Sequence, residues 1–135
     1  HGDFGLHNMI IDRARQRIAA VLDWEMATLG DPLADLVWFL QGWGHFEEGS
    51  GNPANYLTTW HGCRTRDEML ERYTRKTGRS LESELFYRVF SMWKSIIVNE
   101  GLYSAFLHGD AANPAVQRFV TEVPRRLETV RELVG

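Results

Sequence analysis

Apolar positions follow two rhythms along this chain. In the first quarter they form short runs. Met9-Ile10-Ile11 and then Ile18 to Leu22 flank a mostly polar stretch, Ala14 to Arg17, which predicts a β-hairpin. Neither Asn-Gly nor Asp-Gly marks the turn, so its type stays open. From Asp31 onward the spacing becomes helical. Asp31-Pro32 reads as an N-cap followed by proline at the first helical position, where the missing N–H costs nothing. That helix should carry Leu33, Leu36, Val37, Phe39 and Leu40 and stop at Gly42 and Gly44. Residues 44–64 are rich in glycine and read as a long loop. Thr65 and Glu68 form a capping box that opens a helix to about Thr77, with Gly78 as its stop. Ser80 is placed to cap a long helix from Leu81 to about His108, with Leu85, Val89, Met92, Trp93, Ile96 and Ile97 on one face. Asn113-Pro114 repeats the cap-then-proline signal before a last helix bearing Val116, Phe119, Val120, Val123, Leu127, Val130 and Val134. Pro124 should kink that helix or break it in two. The predicted fold is mainly α with a small N-terminal β-hairpin. Without βαβ alternation, a Rossmann-type domain is disfavoured.

Composition narrows the function classes. The 135 residues are 44% hydrophobic and 24% charged, a globular balance, and the net charge is −3. A strongly basic nucleic-acid binder is excluded. Cys63 is the single cysteine, which rules out an intramolecular disulfide or a cysteine zinc cluster and suits a reducing, cytoplasmic setting. No apolar run approaches the ~18 residues of a membrane span, and no signal peptide is evident, so neither nucleic acid nor membrane is an expected partner. The chain opens on His1 inside a motif, which suggests a segment of a longer protein.

That motif is His1-Gly2-Asp3-Phe4-Gly5-Leu6-His7-Asn8, or H-G-D-x-x-x-x-N. Protein-kinase catalytic loops share the frame H-R-D-x-x-x-x-N. Phosphoryl transfer needs a carboxylate to take the proton of the attacking hydroxyl and nearby oxygens to hold magnesium against the phosphates. Asp3 and Asn8 stand at the right offset for one loop. A second carboxylate should follow a short strand pair, and Asp23 ends the second apolar run. Asp and Asn also favour turns for reasons unrelated to catalysis, so the loop frame gains weight from the hairpin and Asp23 that follow it. Alternatively, His1, Asp3, His7 and Asp23 could form a hydrolytic site for zinc, manganese or iron. That arrangement gives no reason for Asn8.

With these residues in view, the chain resembles the aminoglycoside phosphotransferase and choline kinase superfamily, which has a protein-kinase-like fold. The matching text is His1 to Asn8 and then Val21-Leu-Asp-Trp-Glu-Met-Ala-Thr-Leu-Gly-Asp-Pro-Leu-Ala-Asp-Leu36. It is most similar to the kinase-like domains fused to, or encoded near, acyl-CoA dehydrogenases, which Leu70 to Arg79 and Glu100-Gly-Leu-Tyr103 also resemble. The resemblance implies Asp3 as catalytic base, Asn8 and Asp23 as Mg2+ ligands, and His1 as a brace for the loop. It implies supporting roles for Asp31, which caps a helix, and Asp35, whose carboxylate should accept hydrogen bonds from the loop around His1. ATP is the implied co-substrate, a small-molecule hydroxyl the acceptor, and an acyl-CoA dehydrogenase a partner. Residues 1–135 would be the C-terminal lobe. The nucleotide-binding lobe, with its glycine-rich turn and strand lysine, would be absent, and the isolated chain would be inactive or nearly so. The competing class is a non-catalytic helical interaction module derived from a truncated kinase.

Other positions are less specific. His7 stands where an acidic residue is common and should point away from the site. Trp24 reads as a packing residue, and Glu25 either supports the metal or faces water. Trp38, Trp43, Phe46, Tyr56 and Trp60 read as core and loop packing before an acceptor wall. Glu47-Glu48 could attract a cationic acceptor. Arg64, Arg66, Arg72, Arg75, Lys76 and Arg79 interleave with acids as a solvated helix face would.

Overall fold

Two apolar runs and a polar turn do close into a hairpin. In the computed structural model, which describes residues 1–45, 53–110 and 112–135, β1 (Met9–Asp12) pairs antiparallel with β2 (Arg17–Val21). Met9 lies opposite Val21 and Ile10 opposite Ala20. A bulge then brings Ile11 opposite Ile18, leaving Ala19 as the extra residue. The turn is held by Asp12, whose carboxylate accepts from the Arg15 backbone N–H at 3.1 Å and its guanidinium at 2.9 Å. The Arg15 bonds hold the Asp12 carboxyl below its ordinary value.

The rest is helical: α1 (Leu33–Phe39), α2 (Arg66–Thr77), α3 (Glu84–Leu107) and α4 (Phe119–Val134). Short 3-10 segments cover Pro53–Thr59 and Pro114–Arg118, so the stretch read as a plain loop over 44–64 contains helical turns. This small hairpin beside four helices is the architecture of a kinase-like C-terminal lobe. Among the described residues no helix is long and apolar enough to cross a membrane.

Local signals set several boundaries. Thr65 accepts from the Glu68 N–H at 3.2 Å while the Glu68 carboxylate accepts from the Thr65 N–H at 2.7 Å, the reciprocal capping box, and Gly78 ends α2 in the left-handed region at φ 70°. Asn113 accepts from the Ala115 N–H at 3.0 Å with Pro114 next. Two expectations fail. Ser80 accepts from Glu82 at 3.0 Å, but this makes a separate turn, and α3 begins only at Glu84. Pro124 does not divide α4, which runs unbroken from Phe119 to Val134. Pro124 is the sixth residue of that helix; it forgoes the one N–H that would reach the Val120 carbonyl, and the helix continues past it.

α3 packs on both α1 and α4 and is the centre of the helical layer. Ile96, Val116, Phe119 and Val123 form its core, with Tyr103 and Phe106 against them. Leu33, Val37 and Leu40 are the buried stripe of α1. The face α3 turns inward differs from the apolar spacing. Ser91 and Ser95 are buried, while Leu85, Trp93 and Ile97 are exposed. Small serines admit a close neighbour, and Ser95 Oγ donates to Gln41 Oε1 at 2.9 Å, tying α3 to the end of α1. Phe86 and Phe90 stack on each other outside, with ring centroids 6.3 Å apart.

Candidate functional site

The loop before β1 wraps back on itself. Leu6–Asn8 form one 3-10 turn, so residue 8 returns beside residue 3. The Asn8 amide Nδ2 donates to the Asp3 carbonyl at 2.9 Å and to Asp3 Oδ2 at 3.1 Å, and Asn8 is buried. The Leu22 N–H donates to the Asn8 carbonyl at 2.8 Å, which sets Asn8 against the residue preceding Asp23. Thus Asp3, Asn8 and Asp23 all stand at one end of the hairpin.

His1 joins the same end. Its Nδ1 accepts from the Asp3 backbone N–H at 3.3 Å and its Nε2 lies 2.8 Å from the Leu22 carbonyl. Nδ1 as acceptor and Nε2–H as donor define one neutral tautomer. The Trp24 ring sits 4.6 Å from the His1 ring, and its Nε1 donates to the Val21 carbonyl at 2.8 Å. Gly2 takes φ 85°, and a Cβ there would lie 2.5 Å from the Met26 carbonyl oxygen, so only glycine fits between His1 and Asp3.

The loop is moored to α1. Asp35 accepts from the His1 backbone nitrogen at 2.5 Å and from the Gly2 N–H at 2.8 Å. Asp31 Oδ1 accepts from the Leu33 N–H at 2.9 Å at the start of α1. Partial desolvation, and then a hydrogen bond to the Asp31 carboxylate, raise the Tyr87 hydroxyl above its ordinary value. Trp38, one turn beyond Asp35, donates from Nε1 to Asp3 Oδ1 at 2.9 Å. Lys94 of α3 lies 4.3 Å above the Trp38 ring and donates to the Gly2 carbonyl. Trp38 therefore does more than pack, and Lys94 carried no local signal at all. His7 does not point away: its Nε2 is 3.2 Å from Asp3 Oδ2, because the 3-10 turn swings position i+4 over the aspartate.

Asp23 adopts the left-handed region, φ 64° and ψ 57°, unusual for a residue with a side chain. Its carboxylate is exposed and makes no hydrogen bond among the described residues. Glu25 is exposed as well. Asn8 Nδ2 already faces two acceptors, so its Oδ1 is the end left to bind. Two hard oxygen donors suit magnesium, which keeps several waters of its own. No three His, Cys, Asp or Glu side chains among the described residues gather as a metal cluster, and both His1 ring nitrogens are engaged in hydrogen bonds. The hydrolytic alternative finds no support in this geometry.

A cavity of about 840 Å³ opens beside the loop. Phe4, His7 and Trp38 line one side and Arg118, Glu122 and Arg126 another. Tyr56 and Trp60 pack edge to face, and Trp43 Nε1 donates to the Arg64 carbonyl at 2.7 Å, so these aromatics serve their own loop. Phe46, Glu47 and Glu48 lie outside the described residues. Arg72, Arg75, Lys76 and Arg79 are exposed, whereas Arg66 pairs with Glu84 of α3.

Residues 1–79 match the profile of the "Phosphotransferase enzyme family". The chain is 31% identical over 139 residues to "Acyl-CoA dehydrogenase family member 11" of Gallus gallus, covering 98% of this chain and 18% of that protein. The Homo sapiens protein of the same name is 30% identical over 146 residues, covering 98% and 17%. "Acyl-CoA dehydrogenase family member 10" of Mus musculus is 32% identical over 122 residues, covering 87% and 11%. The chain thus spans less than a fifth of the length of these relatives. No solved structure matches.

Proposed function

From the premise that this chain belongs to the phosphotransferase enzyme family, we propose that it carries the catalytic loop of a small-molecule kinase, transferring the γ-phosphate of ATP to an acceptor hydroxyl. The observation that supports this reading most directly is the Asp3 carboxylate. Trp38 holds one of its oxygens, and Asn8 and His7 meet the other. A carboxylate offers about four acceptor positions, so one remains for an incoming hydroxyl. Asp3 would take the hydroxyl proton as the acceptor oxygen forms its bond to the γ-phosphorus. The bond from that phosphorus to the bridging oxygen of ATP breaks, and ADP leaves. Asn8 Oδ1 and the Asp23 carboxylate would hold Mg2+, which when bound neutralises charge on the phosphates. His1, Asp35 and Asp31 support the loop and the helix it is moored to.

The described residues hold no glycine-rich strand pair. ATP would therefore be gripped by sequence outside them, and residues 1–135 alone should turn over little. The names of the relatives support action beside an acyl-CoA dehydrogenase, and the acceptor proposed with it is a hydroxyacyl compound before an antibiotic. A coupled ADP-release assay on the full-length protein, with hydroxy acids and aminoglycosides as acceptors, tests the reading. Turnover should fall by about a thousandfold in Asp3→Asn, within the range of a lost general base. An Asp3→Asn enzyme as fast as wild type would exclude the catalytic role, and a protein with no turnover or nucleotide binding would return the chain to the interaction-module class.

A further inference from the structure

One wall of the cavity carries a charge imbalance that phosphoryl transfer does not use. Arg118, Glu122, Arg125 and Arg126 project from one side of α4 and the turn before it, and all four line the cavity. Glu122 is buried at 5% exposure, with Arg118 Nε at 3.5 Å and Arg126 at 4.0 Å from its carboxylate oxygens. Arg118 and Arg126 both lean on the one Glu122 carboxylate, so this pair of guanidinium groups outnumbers it by one positive charge. Arg118 Nε is shielded from solvent and has no hydrogen-bond partner. Desolvation lowers the Arg126 guanidinium from its ordinary value, and Arg125 and Arg118 crowd it further against the pull of Glu122. A desolvated cation without full pairing is costly, and an anion entering the cavity relieves the cost. Guanidinium forks match carboxylate and phosphate oxygens in particular.

The opposite wall includes His7 and Trp38, the two side chains that reach the Asp3 carboxylate from the cavity side. Phe4 and Leu6 add apolar surface there. We propose that Arg118 and Arg126 form an anion subsite of the acceptor pocket, so that the acceptor carries a carboxylate or phosphate ester at one end and presents its hydroxyl to Asp3 at the other. This rests on the phosphotransferase reading for the identity of the ligand as acceptor, but not for the existence of the subsite. Polycationic acceptors would meet the same excess charge and be repelled.

The test is calorimetric binding to the purified protein without nucleotide. 3-Hydroxybutyrate and inorganic phosphate are the anionic probes, and 1,3-butanediol is the neutral counterpart. Both anions should bind, and the diol at least tenfold more weakly. Tighter binding of phosphate favours a phosphate ester in the site; tighter binding of hydroxybutyrate favours a carboxylate. Arg126→Gln should weaken anion binding at least tenfold and leave the diol unchanged, while Arg126→Lys keeps part of the affinity. Arg118→Gln is the second variant should Arg126→Gln melt early. Arg131→Gln, an exposed α4 residue paired with Glu128, should change nothing. Equal affinity for acid and diol, or full anion affinity in both glutamine variants, overturns the subsite. Because binding needs no ATP, anion binding lost in Arg126→Gln without turnover by wild type would retire the kinase reading and keep the subsite. Asp3-dependent turnover with no preference for acidic acceptors would do the reverse.

Discussion

Residues 1–26 and the helical layer are held together by different physics. The hairpin buries almost nothing: Ile10, Ile11, Ile18 and Leu22 are all exposed. Its attached loop is fixed by directional hydrogen bonds, through His1, Asn8, Asp35 and Trp38. The layer of α1, α3 and α4 rests on burial, with Ile96, Val116, Phe119 and Val123 close-packed at its centre. Burial is strong but has little direction, whereas hydrogen bonds are individually weak but position atoms closely. A site that must hold a carboxylate in one orientation is better served by the second kind, provided the first supplies a rigid mooring. Here the mooring points are Asp35 and Trp38 on α1 and Lys94 on α3.

The largest effect expected from breaking this division is on the layer. Ile96→Ala opens a cavity in the core and should cost about 3 kcal/mol of stability. Below the lowered melting temperature, turnover by the full-length protein should stay within about twofold of wild type, read by thermal melts beside an ADP-release assay. A large loss of turnover in the folded variant would show that the two regions are not separable. Asp35→Ala is the converse case. It strands two backbone N–H groups and should cost about 2 kcal/mol. Turnover should nevertheless fall tenfold or more, because the loop carrying Asp3 loses its mooring. Unchanged turnover would move the mooring elsewhere.

How much of this was readable beforehand follows the same division. Signals that live within a few residues are legible: the Thr65–Glu68 box, the polar turn of the hairpin, and the spacing that nominates Asp3, Asn8 and Asp23. Contacts closed by tertiary packing are not. Lys94 reaches the Gly2 carbonyl across 92 residues of sequence, and nothing near Lys94 marks it. Trp38 lies in a run of aromatics, where one indole N–H aimed at a carboxylate looks like any other. The inward face of α3 misleads for a further reason. Ser91 and Ser95 are buried because α1 needs room and Gln41 needs a partner, so close approach outweighs apolar spacing. His7 lies over Asp3 and not away from it because a 3-10 turn, unlike an extended loop, folds position i+4 back over position i.

Trp38→Phe sharpens the comparison by removing one hydrogen bond while keeping the ring under Lys94. The loss should be about 1 kcal/mol, felt as a roughly fivefold fall in kcat with KM nearly unchanged, since the indole N–H orients Asp3. If KM rises and kcat holds, Trp38 is an acceptor wall and the hydrogen bond to Asp3 is incidental.

The smallest effect lies outside the catalytic loop, at the start of α2, where a directional cap operates within the helical part of the chain. The Thr65 backbone N–H and then its side chain lower the Glu68 carboxyl from its ordinary 4.5. A depressed folded value means that ionised Glu68 favours the folded state. The increment is present above about pH 4.5, the unfolded value, and is lost as the pH falls through the lower folded one. In Glu68→Ala the melting curve at pH 7 should lie slightly below wild type, and the two should converge as the pH falls through the lowered folded value. Thr65→Ala should remove only the smaller, side-chain share of that pH dependence, because the Thr65 backbone N–H still donates to the Glu68 carboxylate. Curves that stay parallel at every pH would mean that the cap acts through backbone geometry alone, and that directional bonds matter to this fold only around Asp3.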